Sequence, residues 1–396
     1  MRKSSGPLCL PGLAVRLPLL ALAGSVAPLF CVGLLAAQEL PRQIAWTAYD
    51  VGSAGYNQAV AMGSALKNEL GVDLRVLPGR NDVARQVPLR DGRVQFSATG
   101  VGASYLAQEG VQEFGAREWG PQKVRVLLAS NADSNLSIGV AADLGIETMA
   151  DLAGKRVAWV VGSPSLNENI TALLHFADLT WDDVERVDFP GFGASWEGIV
   201  NDQVDAAFAA TTSGQAYQLE SSPRGLFWPP TPHDDEEGWA RLQSMAPFFV
   251  PNMASQGAGL SEDRQHEGPA YPYPVLIAYD TQESDLVHAM TKALVDLFPE
   301  YDGASPGING WALDRQVFDW VVPYHEGAIR YFEEIGVWSE DLQAHNDALV
   351  ERQEVLAAAW EEMVAEAPED EEAFLEAWMA RRAEALEAAG MDPIYR

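Results

Sequence analysis

Trp46-Thr47-Ala48-Tyr49-Asp50-Val51-Gly52-Ser53-Ala54-Gly55-Tyr56-Asn57-Gln58 reads as a short strand, a polar glycine-bearing turn, and the entry to an amphipathic helix over Ala59 to Leu70. A turn of this kind points backbone N–H groups at a ligand from a helix N-terminus. Tyr49, Asp50, Ser53, Tyr56 and Asn57 add hydrogen-bonding side chains around it. Behind an export leader, and without enzyme motifs, such an opening unit implies capture of a solute.

Working outward, apolar strand-like runs alternate with helical patterns. Strands are expected over Ile44–Tyr49, Asp73–Leu77, Val94–Thr99, Val124–Ala129, Leu136–Ala141, Arg156–Val161, Arg186–Phe189 and Val204–Ala209. Helices are expected near Gln58–Leu70, Asp82–Leu89, Ser165–Phe176, Trp196–Asn201 and Ser213–Ser221. Alternation of this type defines an α/β class with largely parallel sheets and helices on both faces. Ligands of such sheets sit beyond the carboxyl ends of the strands. A seam between two α/β units is expected at Ser130–Leu136, a return crossing at Phe249–Tyr279, and an exposed loop at Trp228–Glu237.

The N-terminus carries Arg2, Lys3 and Arg16, then an apolar run from Leu17 to Leu35 broken only by Ser25, then Ala36-Ala37. That layout is a signal peptide with cleavage expected after Ala37, which places the mature protein in the periplasm. The run is also long enough to serve as an uncleaved anchor, with the protein then facing the periplasm. Cys9 and Cys31 both fall in this leader, so residues 38–396 offer no disulfide, thiolate nucleophile or cysteine metal ligand.

The formal charge is −31, and losing Arg2, Lys3 and Arg16 makes it −34. A polyanion such as nucleic acid is repelled by that field, and a solvated acidic surface accounts for it. An anionic ligand therefore needs local positive groups that oppose the global field. The end of the chain differs in kind: Pro323–Trp338 and Glu340–Ala365 read as helices, and Glu366 to Arg396 holds nine acidic residues and three arginines. A charge run of this sort reads as a solvated helix packing a few apolar residues such as Phe374 and Trp378, or as a docking surface for a membrane partner.

Several motifs recur in a set order. They are the opening turn, Leu77-Pro78-Gly79-Arg80-Asn81-Asp82-Val83-Ala84-Arg85, Gly92-Arg93-Val94-Gln95-Phe96-Ser97, Asp151-Leu152-Ala153-Gly154-Lys155-Arg156-Val157, Gly162-Ser163-Pro164-Ser165, Val204-Asp205-Ala206-Ala207-Phe208 and Tyr324-His325-Glu326-Gly327-Ala328-Ile329-Arg330-Tyr331-Phe332. Together they resemble the solute-binding subunits of tripartite ATP-independent periplasmic (TRAP) transporters, of the TAXI family, over residues 44–340. The resemblance implies a type II periplasmic-binding-protein fold, two α/β lobes joined by crossing strands that close on a small solute, often a carboxylate. It implies delivery to membrane subunits driven by an ion gradient. The domains expected are a signal peptide (1–37), lobe 1 (38–133 and, after the return crossing, 251–340), lobe 2 (134–250) and an acidic helical extension (341–396). Where the family often carries Ser and Asn, this chain has Asp82 and Arg85, and its second-lobe loop is Gly162-Ser163-Pro164-Ser165-Leu166-Asn167. These departures suggest a subgroup with its own ligand.

Arg80 and Arg85 carry fork-shaped donors suited to a carboxylate, or they pair with Asp82 or another acid. Ser53, Tyr56 and Asn57 are the leading first-lobe contacts, with Tyr49 beside them; Asp50 orients a ligand group or caps the helix. Thr99 ends its strand at the same mouth. In the second lobe Ser163, Ser165 and Asn167 open a helix as ligand donors or as caps, and Thr211, Thr212 and Ser213 follow a strand toward the cleft. Trp196 and Tyr273 are cleft walls or core. None of the six histidines forms a His-Glu-x-x-His pair, Gly191-Phe192-Gly193 lacks the rest of a dinucleotide fingerprint, and no phosphate loop or nucleophile elbow is present. The expectation is a monomeric receptor for a small organic anion, a carboxylate above all, with no catalytic residue, cofactor or metal. A sensor or scaffold that holds a protein partner through its acidic C-terminal helices is the alternative.

Overall fold

The computed structural model describes residues 40–395. The expected leader and its cleavage point fall outside the described residues.

The opening unit is built as its residues demand. β1 (Gln43–Ala48) runs into a turn where Gly52 takes φ +86°, and Ser53 caps helix α1 (Ala54–Leu70) by accepting from the Tyr56 N–H. Gly71, at φ 68°, closes α1 in the left-handed conformation. β2 (Asp73–Pro78) leads through Asn81, whose side chain accepts from the Ala84 N–H, into α2 (Asp82–Arg90). β3 (Phe96–Thr99) and β4 (Val124–Ala129) are buried throughout, as their continuous apolar runs require.

The chain then leaves this sheet. β5 (Leu136–Ala141), β6 (Arg156–Val160), α3 (Pro164–Phe176), β7 (Glu185–Phe189), α4 (Phe192–Val200), β8 (Ala206–Ala210), α5 (Gly214–Glu220) and β9 (Leu226–Phe227) make the second unit. After α6 (Glu236–Met245) comes an antiparallel pair, β10 (Val250–Ala254) and β11 (His266–Ala270). β12 (Val275–Tyr279) re-enters the first sheet.

Each of the two main sheets has five strands, ordered β2-β1-β3-β12-β4 and β7-β6-β8-β5-β9. β1 is parallel to β2 and β3, and β6 is parallel to β7 and β8. The strand inserted beside each parallel set is antiparallel: β12 against β3 and β4, β5 against β8. The expected parallel sheets are therefore mixed, because each lobe borrows a strand that arrives along a crossing. The two crossings hydrogen-bond to one another, Tyr273 N–H to Ser130 O at 2.6 Å and Ser130 N–H to Pro274 O at 2.8 Å. A type II periplasmic-binding-protein architecture results, with the carboxyl ends of β1, β3, β6 and β8 facing a common cleft.

Trp228–Glu237 departs from the exposed loop expected. Trp228 and Thr231 are buried, and Trp228 Nε1 donates to Ala258 O at 3.0 Å while its ring lies 5.9 Å from that of Trp196. The indole carries enough apolar surface to draw the segment inward.

After α7 (Ser284–Asp296) and α8 (Glu326–Glu334), the extension forms α9 (Glu340–Val364) and α10 (Glu371–Ala388). It docks on lobe 1 through a buried charge cluster. Arg352 Nε and Nη2 each reach the Glu109 carboxylate at 2.8 Å, and Arg382 donates to the same carboxylate and to Glu109 O. Burial alone would raise the Glu109 acid, but the hydrogen bonds and charge of Arg352, with the charge of Arg382, hold it below the ordinary carboxylate range. Phe374, Trp378 and Leu386 are buried alongside.

Candidate solute cleft

The site is assembled from the carboxyl end of β1, the start of α2, and the N-terminal turn of α3. Asp82 and Arg85, one turn apart on α2, form an ion pair in which both side chains are fully buried. The Arg85 guanidinium lies 3.3 Å above the centre of the Tyr49 ring. Such a cation–π contact strengthens as water is excluded. Arg85 Nε and Nη1 have no hydrogen-bond partner.

Asp82 also reaches into the other lobe. Its Oδ2 accepts from the Ser165 N–H at 2.8 Å and from Ser163 Oγ at 3.4 Å. Those donors belong to the start of α3, whose terminus forms because Gly162 turns at φ +71° and Pro164 opens the helix. Gly102 faces the same point, and any Cβ there would strike the Asp82 carboxylate.

Tyrosines wall the cleft. Tyr49 and Tyr273 meet edge to face at 5.6 Å, and Tyr271 accepts from Asn169 Nδ2 at 2.9 Å. Burial pushes the Tyr49 hydroxyl up to about 12, with Asp82 adding to the rise and Arg85 opposing it; Tyr271 and Tyr273 also lie well above their ordinary value. All three are neutral donors. Between them and Phe192 lies a cavity of about 20 Å³. That is room for one water.

The lobes are shut around it by backbone contacts. Gly214 N–H donates to Gly52 O at 3.0 Å, Phe192 N–H to Arg80 O at 3.1 Å, and Val83 N–H to Gly162 O at 3.2 Å. Side chains add Gln215 Nε2 to Val51 O at 3.0 Å, Asn81 Nδ2 to Val161 O at 3.0 Å, and Gly193 N–H to Asp50 Oδ2 at 3.3 Å. The opening turn thus meets the second lobe through its main chain.

The residues expected at the site divide accordingly. Tyr49, Asp82, Arg85, Ser163 and Ser165 converge, and Ser213 lines the cavity with Tyr273. Thr99 is fully buried with its hydroxyl unpartnered. Asp50 lies at the closing contact. Arg80 is exposed and contributes its carbonyl. Ser53 is spent on capping α1, Asn57 returns to Gly52 O at 3.2 Å, and Tyr56 lines a groove with residues of β2. Asn167, on α3, turns back on the end of β6, accepting from Val160 N–H and donating to Val160 O at 2.9 Å each. Thr211 ties the crossing by donating to Gln256 O at 2.7 Å, and Thr212 packs near Gly307. Trp196 is core, its Nε1 donating to Phe208 O at 3.1 Å. Phe192, Asn169 and Tyr271 also line the cavity; of these only Tyr271 carries a signal in the sequence, the Tyr271-Pro272-Tyr273 spacing.

Among the described residues no group of three or more His, Cys, Asp or Glu is placed to hold a metal ion, and no helix is long and apolar enough to cross a membrane.

Two lobes meeting at a small aromatic cleft are the architecture of the periplasmic binding proteins. The chain belongs to the NMT1-like family, whose model matches residues 50–336. Comparison with curated proteins gives no match. Solved structures similar to it include the alkanesulfonate-binding protein SsuA from Xanthomonas axonopodis pv. citri bound to MOPS, at 14% identity and TM-score 0.43, covering 89% of this chain and 95% of that one. An ancestral arginine-binding protein bound to arginine is 15% identical with TM-score 0.42, covering 67% and 97%. PhnD1 from Prochlorococcus marinus (MIT 9301) in complex with methylphosphonate is 13% identical with TM-score 0.41, covering 75% and 100%.

Proposed function

We propose that this protein is a periplasmic receptor that captures a small organic anion, foremost a carboxylate, between its lobes and passes it to the membrane subunits of a TRAP-type secondary transporter. The observation that carries the anion reading is Arg85. It is fully buried at the cleft, has two unpartnered nitrogens, Nε and Nη1, and pairs with Asp82 beside the N-terminal turn of α3. The guanidinium and the helix N-terminus are local positive groups, shared in the closed form with the Asp82 carboxylate, in a chain whose overall charge is −31. The tyrosine walls supply neutral hydroxyls and apolar faces for the rest of a small acid. The transporter type rests on the ordered motifs of the TAXI resemblance, and the periplasmic location on the leader.

Titration calorimetry with mono- and dicarboxylates, alkanesulfonates and their neutral amides tests the reading. One anion class binds the wild type with a single site, and Arg85→Gln loses it. Equal binding of the amides, or binding that survives Arg85→Gln, overturns it. Co-purification with the membrane subunits tests the partner.

A further inference from the structure

The anion seat is already filled, by the protein itself. Asp82 belongs to lobe 1, yet its carboxylate sits in the first turn of a lobe 2 helix, taking the Ser165 N–H at 2.8 Å and Ser163 Oγ at 3.4 Å while pairing with Arg85. Backbone donors at a helix N-terminus plus a guanidinium are what an incoming carboxylate would use. Resting on the anion-receptor reading above, we infer that Asp82 is a tethered counter-anion. It holds the solute's place, closes the lobes without solute, and must be displaced for solute to bind.

Three observations carry this. The first is charge. Arg85 and Asp82 cancel, and both are fully buried. A solute carboxylate added beside them would leave one buried negative charge unpaired, which is strongly unfavourable. The solute therefore exchanges with Asp82 and does not join it. The second is geometry. Asp82 engages only Nη2 of Arg85, so Nε and Nη1 are left without acceptors where a two-pronged partner would satisfy more of the fork. The third is space. The adjoining cavity, walled by Tyr49, Ser165, Phe192 and Tyr273, holds about 20 Å³, room for a water and not for an organic acid, so a solute needs the lobes to part and the Ser165 donor that Asp82 occupies to come free.

Opening the lobes separates Asp82 from Ser163 and Ser165 but not from Arg85, which shares its helix. In the open state Asp82 and Arg85 are one turn apart and can hydrate. The closed, solute-free form is thus a competitor of the solute-bound form, and the apparent affinity falls by the share of protein so occupied.

The test uses the full mature chain as wild type, Asp82→Asn, Asp82→Ala, and Asp82→Asn with Arg85→Gln. The probes are acetate, succinate and the neutral control acetamide, followed by calorimetry and by small-angle scattering. Asp82→Asn keeps an acceptor for Ser165, so it guards against loss of folding in Asp82→Ala. The inference expects the Asp82 variants to bind a carboxylate probe at least tenfold tighter than wild type, with no gain for acetamide, and the Arg85→Gln partner change to erase the gain. It also expects Asp82→Asn to be more open than wild type without probe and to close with it. If the wild type binds a carboxylate and the Asp82 variants bind it no tighter, the tethered-anion inference fails and the anion-receptor reading stands. If neither wild type nor variants bind a carboxylate, both fail.

Discussion

Gly214 donates its backbone N–H to Gly52 O at 3.0 Å, and a Cβ on Gly214 would stand 2.6 Å from that same carbonyl. The first residue of a lobe 2 helix therefore has to be glycine for the opening turn of lobe 1 to close on it. In the open state alanine is the better helix former at that position, by up to about 1 kcal/mol. Gly214→Ala consequently acts on closure and not on folding. Scattering should show a more open molecule, and calorimetry an affinity for the preferred acid at least tenfold weaker. An unchanged envelope and affinity would remove the closing role given to this contact.

The clamp on Glu109 predicts where the acidic extension matters. Removing one partner of a buried charge cluster costs roughly 3–5 kcal/mol, because the remaining charges lose their compensation. Glu109→Gln strands Arg352 and Arg382 against buried surface. Denaturant unfolding should show a loss of about 3 kcal/mol or more. Arg381→Gln, whose partners Glu362 and Glu384 are exposed, should change stability by less than about 1 kcal/mol.

Glu168 makes stability depend on pH. Burial pushes its carboxyl up to about 7, against the opposing hydrogen bond from Gln112 Nε2 at 3.0 Å. The folded protein then binds a proton more tightly than the unfolded chain, whose value is near 4.5. The associated stability is complete below about pH 4.5 and is lost as pH rises through 7. The loss is on the order of 3 kcal/mol for a shift of this size. Glu168→Gln should match wild type at pH 4.5 and exceed it at pH 8 in chemical denaturation; parallel curves for the two proteins would contradict this.

His266 runs the other way. Burial pushes it down to about 4, so it is neutral in the fold and charges more readily when unfolded. Its contribution is present above about pH 6.5 and disappears as pH falls toward 4. His266→Gln should flatten that acid limb of the stability curve.

The sequence showed the alternation of strands and helices clearly, because periods of two and of 3.6 are local properties. Leu136–Ala141 occupies the range expected of it. It did not show that β5 and β12 are inserted antiparallel, since strand order depends on partners far along the chain. Asp82 pairing with Arg85 was readable from their spacing. Asp82 reaching Ser165, on the far lobe, was not. Asn167 and Thr211 looked like ligand donors because polar residues after strands so often are; each instead satisfies nearby main chain, which a composition pattern cannot separate from ligand contact. Arg382 lies within an acidic run of the sequence, where nothing local marks it as core. Only folding brings Glu109 to it and makes a charged side chain core.

Calorimetric titration of wild type against Arg85→Gln with the carboxylate panel decides whether Arg85 receives a small organic anion. A single saturable site in the wild type should disappear in Arg85→Gln while both proteins keep the same fold by circular dichroism. Retention of that site in Arg85→Gln, or equal affinity for the neutral amide, would contradict it.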